Sequence, residues 1–125
     1  MAPKMLAPSA DTVSRVRFVR MTLEVHAEAT RSVVAMRGEA DISTRRDLCD
    51  VLCRVTDDGT GDVVIDLAEV TFIDTAIVRA LVTAQQLLHR QGRVLTLRSP
   101  SRLAMRVLKV FGLTDLIETE DPVQR

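Results

Sequence analysis

The chain has 125 residues, 46% apolar and 27% charged, with 17 basic side chains balanced by 17 acidic ones. One domain of this size can bury a useful core, and a formal charge of zero supplies no basic field to attract nucleic acid or an anionic membrane. Three Phe with no Tyr and no Trp argue against base stacking and against the aromatic platforms that bind sugars.

In chain order, residues 1–15 contain Pro3, Pro8 and Ser9 without periodicity and read as a flexible tail. From Val16 to His26 the pattern is strand-like, with Leu23 and Val25 alternating with polar neighbours. The polar break Glu28-Ala29-Thr30-Arg31 predicts a hairpin turn. Ser32 to Arg37 forms a second strand through Val33, Val34 and Met36, ended by Gly38-Glu39-Ala40-Asp41. Ser43 or Thr44 can cap a first helix, whose apolar stripe is Leu48, Val51, Leu52 and Val55, and Asp57-Asp58-Gly59 stops it.

A buried strand over Asp62 to Leu67 follows, with the apolar run Val63-Val64-Ile65 at its centre. A second helix spans about Thr75 to His89, with Leu81, Ala84 and Leu88 on one stripe, Val78 and Val82 beside it, and Gln91-Gly92 as its stop. Arg93 to Arg98 is a further strand. Ser99-Pro100-Ser101 opens a third helix, whose stripe is Leu103, Ala104, Val107, Leu108 and Phe111, and Gly112 terminates it. Leu113 to Ile117 is a turn leading to a short last strand. The domain is thus expected over residues 16–120, with a C-terminal tail at 121–125. Strand–helix–strand units imply parallel crossovers. The expected class is α/β: a single mixed sheet of four to five strands, an opening antiparallel hairpin and then parallel crossovers, with amphipathic helices packed on it.

Cys49 and Cys53 stand four apart on the first helix, a spacing that suits a disulfide poorly. Small apolar residues in or near the core is their expected role. His26 and His89 fall in other elements, so no metal-ligand cluster is legible. No apolar run approaches a membrane span, and charge and proline interrupt the first 19 residues where a signal peptide would be apolar. The cytoplasm is the expected compartment.

Enzyme signatures are missing: there is no phosphate-binding G-x-x-x-x-G-K-[ST], no G-x-G-x-x-G and no G-x-S-x-G elbow. Asp66 ends a buried strand much as a phosphoacceptor aspartate would, but the acidic pair and the late lysine that such a site needs are absent. What remains is Asp74-Thr75, an acid and a hydroxyl delivered together to a helix start. Unpaired N–H groups and the helix dipole favour negative charge there. One of the two residues can simply be an N-cap. A capping box is absent, because Ile77 and Val78 occupy the positions where Glu or Gln would stand.

The segment VVIDLAEVTFIDTAIVRAL, Val63 to Leu81, resembles the signature of the STAS domain, especially its anti-sigma factor antagonists: an apolar strand, D-L, a short loop, then F-[IM]-D-[ST] into a helix. Arg37-Gly38-Glu39-Ala40-Asp41 resembles the family's G-E-[IL]-D turn. RSPSRLAMRVLKVFGLTDLIE, Arg98 to Glu118, resembles its last strand, helix and G-L-x-x-[LI] turn. The resemblance covers about residues 20 to 120. Family members often read D-S-S-G-L-G where this chain reads Asp74-Thr75-Ala76-Ile77-Val78-Arg79, so the second hydroxyl is lost and both small residues are replaced by larger ones.

The resemblance implies a STAS-like fold and a non-enzymatic switch that needs no cofactor of its own. Thr75 matches the phosphorylatable hydroxyl, Asp74 the acid beside it, and Asp41 the acid of the neighbouring turn. The implied partners are an anti-sigma factor kinase, whose capture frees a sigma factor, and a phosphatase that resets the hydroxyl. Ile42, Ser43, Ala76, Ile77 and Arg79 are the further contact candidates. The chain is expected to be a monomer or weak dimer, with no nucleic-acid partner and no membrane insertion. The alternative is a stand-alone STAS subunit of a lipid-transporting ABC complex. Arg79, four residues after Thr75 on one helix face, is either a solvated surface arginine or the partner of a phosphate on Thr75.

Overall fold

The computed structural model describes residues 14–17, 21–59 and 61–118. Five strands form one sheet whose spatial order is the chain order. β1 (Ser14–Arg17), β2 (Met21–Glu28) and β3 (Arg31–Ala40) pair antiparallel, and β4 (Val63–Ile73) and β5 (Leu95–Arg98) add in parallel. α1 (Arg45–Asp58) crosses from β3 to β4, α2 (Thr75–Arg90) crosses from β4 to β5, and α3 (Arg102–Val110) follows β5. This is the mixed sheet with an antiparallel opening and parallel crossovers that the strand–helix pattern predicts.

One face of the sheet is the core. Leu23, Val34, Met36, Ile65, Leu67, Leu95 and Leu97 point into it and meet Leu48, Val51 and Leu52 of α1, Ile77, Leu81 and Leu88 of α2, and Ala104 and Leu108 of α3. Each fully buried Leu or Ile contributes about 1.5–3 kcal/mol relative to exposure. Parallel strands added in one direction, with right-handed crossovers, bring α1 and α2 to the same face. Across the other face runs an ion network: Glu28 accepts from Arg98 and Arg31 at 2.8 Å, and Arg98 also reaches Glu118 at 3.1 Å. Side-chain hydrogen bonds from Arg98 and then Arg31 hold the Glu28 pKa down to about 2.

Several expected boundaries move. The strand read over Val16 to His26 is two antiparallel strands, and Ser14 and Arg15, expected in the tail, begin β1. The rest of both expected tails, 1–13 and 121–125, lies outside the described residues. β5 starts at Leu95 because Arg93 is a buried clamp. Its guanidinium donates to the carbonyls of Gly61 and Thr56, each at 2.8 Å, and to Gln91 Oε1 at 2.7 Å, tying two helix ends to the β4 entry. At that entry a side chain on Gly61 would run into the Thr30 carbonyl. The last strand reduces to a single bridge between Leu97 and Ile117, after a 3-10 turn at Thr114–Leu116.

The third helical stripe is only half right. Ala104 and Leu108 are buried, whereas Leu103 and Phe111 are exposed. For Phe111 the reason is length, since α3 ends at Val110 and leaves Phe111 in the cap, while Leu103 lies in the first turn of the helix. Cys49 packs against the core, but Cys53 is exposed, so the core role expected for both cysteines fails for the second. Among the described residues no helix is long and apolar enough to cross a membrane.

Candidate functional site

The strand expected to stop at Leu67 continues to Ile73. Along β4 the core residues are Val63, Ile65, Leu67, Val70 and Ile73. The step is two residues and then three, so simple alternation is lost after Leu67. The pairing with β3 explains it. Ala35 and Arg37 face Asp66 and Glu69, while Gly38 and Glu39 face Val70 and Phe72. β4 therefore carries one extra residue at each of two bulges, which return the next apolar side chain to the core face. Asp66 Oδ1 accepts from the Ala68 N–H at 3.0 Å inside the first bulge, a local structural use rather than that of a phosphoacceptor. On β3, Gly38 takes φ 95°, a conformation that favours glycine, beside the second bulge.

The result is that β3 and β4 end level, with Ala40 paired to Ile73. An aspartate follows each strand directly, at Asp41 and Asp74. The carboxyl ends of adjacent parallel strands, where chains diverge into helices, are where α/β sheets place their sites. Asp41 starts a turn of 3-10 helix, Ile42–Thr44, through a reciprocal capping box. Its Oδ1 accepts from the Ser43 N–H at 3.0 Å and the Ser43 hydroxyl at 2.6 Å, while the Thr44 hydroxyl accepts from the Asp41 N–H at 3.0 Å. The expected cap of the first helix by Ser43 or Thr44 thus gives way to this turn: Thr44 is the N-cap residue of α1, but its side chain makes no cap bond there.

Asp74 is the N-cap of α2. Its Oδ1 accepts from the N–H groups of Ala76 at 2.9 Å and Ile77 at 3.3 Å. Its Oδ2 accepts from the Ile42 N–H at 3.0 Å, and its own N–H donates to the Ala40 carbonyl at 3.1 Å. One side chain thereby locks the two strand-to-helix junctions together. Thr75, the next residue, is exposed and is left out of the cap.

Two cavities flank Asp74. One, about 580 Å³, is lined by Ile42, Arg45, Asp74, Thr75, Ala76 and Arg79. The other, about 510 Å³, is lined by Glu39, Asp41, Thr71, Phe72 and Asp74. The surface is therefore bipolar: Thr75 lines one cavity with two arginines, and the acids at the end of β3, Glu39 and Asp41, line the other, with Asp74 common to both. Exposed apolar side chains stand on both sides, Ile42 at 70% and Phe72 at 44% exposure. From the basic cavity a groove of about 210 Å³ continues between α1 and α2, sharing Arg45 and Arg79 and floored by Leu52, Ala80, Ala84 and Leu87, with Cys49 and Cys53 on its α1 side.

Of the residues singled out from sequence, Asp74, Thr75, Ala76, Ile42 and Arg79 share one cavity, and Ser43 is exposed beside it on the Asp41 turn. Ile77 does not belong to the surface. It is completely buried, so the larger residue at this position fills the core rather than the face a partner meets. Asp41 lines the second cavity, not that of Thr75. Sequence reasoning missed Arg45, Phe72 and Glu39. Phe72 was visible inside the F-I-D-T step, but its outward aim depends on a bulge. Nothing in the sequence joins Arg45 to Thr75, 30 positions apart. Among the described residues no group of His, Cys, Asp or Glu could hold a metal ion.

Comparison with known proteins points in one direction. The family described as "Mlab, STAS domain" matches residues 23–118. An anti-sigma-B factor antagonist of Staphylococcus aureus is 27% identical over 88 residues, covering 70% of this chain and 82% of that protein. Among solved structures, the anti-sigma factor antagonist SpoIIAA in its unphosphorylated form superposes with a TM-score of 0.70 at 15% identity, over 82% of this chain and 90% of that one. An anti-sigma factor antagonist from Mycobacterium paratuberculosis gives 0.68 at 19% identity, over 94% and 93%.

Proposed function

We propose a function from one premise: the chain belongs to the STAS domain family. It acts as an anti-sigma factor antagonist, a protein-binding switch without catalytic activity of its own. The unmodified chain docks on an anti-sigma factor through the face around Asp74. That face offers Ile42 and Phe72 as apolar contacts, with acidic and basic cavities between them for polar recognition. Capture of the anti-sigma factor frees a sigma factor.

The anti-sigma factor is a kinase in this reading. It transfers the γ-phosphoryl group of its own bound ATP to Thr75 Oγ1, leaving ADP and a released hydroxyl proton. Phosphorylation adds about −1.5 to −2 charges and considerable bulk to the middle of the docking face, and the complex separates until a phosphatase removes the group. The observation that carries this reading is the placement of Thr75: exposed, immediately after the N-cap, and on a junction held rigid by the Asp74 carboxylate. A substrate hydroxyl has to be accessible and fixed in one place to meet a γ-phosphate.

The test is binding of wild type, Thr75→Ala and Thr75→Glu to the anti-sigma kinases of the same genome. Wild type and Ala should bind alike. Glu should bind at least tenfold more weakly, a loss of about 1.4 kcal/mol. Equal binding by all three sinks the switch, and co-purification with a membrane transporter and no sigma regulator would favour the ABC-subunit alternative.

A further inference from the structure

We propose that Arg45 and Arg79 form a clasp for the phosphate of phosphorylated Thr75, one arginine from the start of α1 and one from the first turns of α2. The inference rests on the reading of Thr75 as a phosphoacceptor and adds how the modified state is held.

The donors at the start of α2 are already engaged. A phosphate at a helix start ordinarily takes the free N–H groups there. Here the Ala76 and Ile77 N–H groups donate to Asp74 Oδ1, and those of Ile77 and Val78 also reach the Asp74 carbonyl, each at 3.1 Å. The Asp74 carboxylate occupies the place an anion would take and adds its own negative charge. A phosphate on Thr75 must therefore find positive partners elsewhere.

The cavity that Thr75 lines supplies them. Arg45 and Arg79 line it with Thr75, both are exposed, and among the described residues neither has a carboxylate or hydrogen-bonding partner. Exposed arginines without such a partner are common here, as at Arg46, Arg54, Arg90, Arg102 and Arg106, and what sets Arg45 and Arg79 apart is that both line the cavity of Thr75. Two unpaired guanidinium groups beside one hydroxyl repel each other until an anion stands between them. Guanidinium forks match phosphate oxygens bidentately. Arg79 follows Thr75 by one helical turn, so both share a face. Arg45 enters from the adjacent crossover because Asp74 ties the two junctions together.

The clasp alters what phosphorylation does. The modified face does not simply gain a bare dianion. It also loses two arginines, drawn inward from the mouth of the α1–α2 groove that they share. A partner carboxylate that met Arg45 and Arg79 in the unmodified state loses both contacts at once.

The test uses full-length protein with phosphothreonine installed at position 75 during translation, so no kinase is needed. Its phosphorus resonance is followed by NMR from pH 4 to pH 8. A solvated phosphate has its second pKa at about 6. The clasp should lower that value by about one unit in wild type, return it to about 6 in Arg45→Ala/Arg79→Ala, and leave it between in Arg45→Lys/Arg79→Lys, which keeps charge without the fork. Both side chains are exposed, and matching circular dichroism spectra will show that the variants are folded. Coincident titrations of wild type and the double alanine variant overturn the clasp. A clasp seen on the installed phosphate in a protein that no anti-sigma kinase modifies would instead defeat the switch reading and leave the clasp standing.

Discussion

Asp74 meets three backbone N–H groups from two different junctions, those of Ile42, Ala76 and Ile77. The two oxygens do different work, and substitution separates them. Asp74→Ala removes the N-cap and strands the Ile42 N–H, so it should cost about 2 kcal/mol, the upper end for lost caps. Asp74→Asn keeps a good capping oxygen but turns an amide group toward the Ile42 N–H, so about half that cost is expected. Urea unfolding with an unchanged m-value measures both. Wild-type stability in Asp74→Asn would mean that the link between junctions contributes nothing, and equal losses for the two variants would mean that the cap adds nothing to the link. Residue identity was legible here, since an acid before a helical pattern reads as a cap. Its second bond was not, because Ile42 lies 32 positions away and becomes a neighbour only when β3 and β4 pair.

At the scale of elements, β4 decides how the site is presented. Period-two alternation supports a strand as far as Leu67. Beyond it the core positions fall three apart, a spacing that in sequence reads as a loop. Two bulges reconcile the spacing with a continuous strand, and they aim Phe72 outward and Ile73 inward just before Asp74. The partner strand accommodates the second bulge through Gly38 at φ 95°. Gly38→Ala puts a Cβ into that backbone conformation and should destabilise the fold by about 1–2 kcal/mol, read as a lowered urea midpoint. An unchanged midpoint would show that β3 can relax its register without glycine. The helices were easier to read because their stripes obey one period throughout. Where α3 misled at Phe111, the helix was too short to carry the stripe to its end.

At the scale of the molecule, the network of Glu28, Arg31, Arg98 and Glu118 spans the sheet from β2 to the segment after α3. The Glu28 pKa is about 2 in the fold, against roughly 4.3 for an unperturbed glutamate. The unfolded chain therefore takes up this proton first as pH falls. The stabilisation is fully present above about pH 4.5 and is lost as pH drops toward 2. Both Glu28 and Arg98 are partly exposed, so solvent and salt screen the contribution. Stability measured from pH 6 to pH 2 should fall more steeply for wild type than for Glu28→Gln, and 1 M salt should narrow the difference. Parallel curves would remove Glu28 from the acid response.

The order of elements from β2 onward, the buried faces of the first two helices, and the pairing of an acid with a hydroxyl at the start of α2 are legible in the linear chain. Each is a local property, set by side-chain period or capping chemistry over a few residues. What surrounds that hydroxyl is settled by contacts made on folding. The bulges in β4 bring two aspartate junctions level, Asp74 takes up the helix's own donors, and Arg45 arrives from another crossover to stand with Arg79. Those relations depend on strand register and on contacts between residues some 30 positions apart, and no local pattern encodes them.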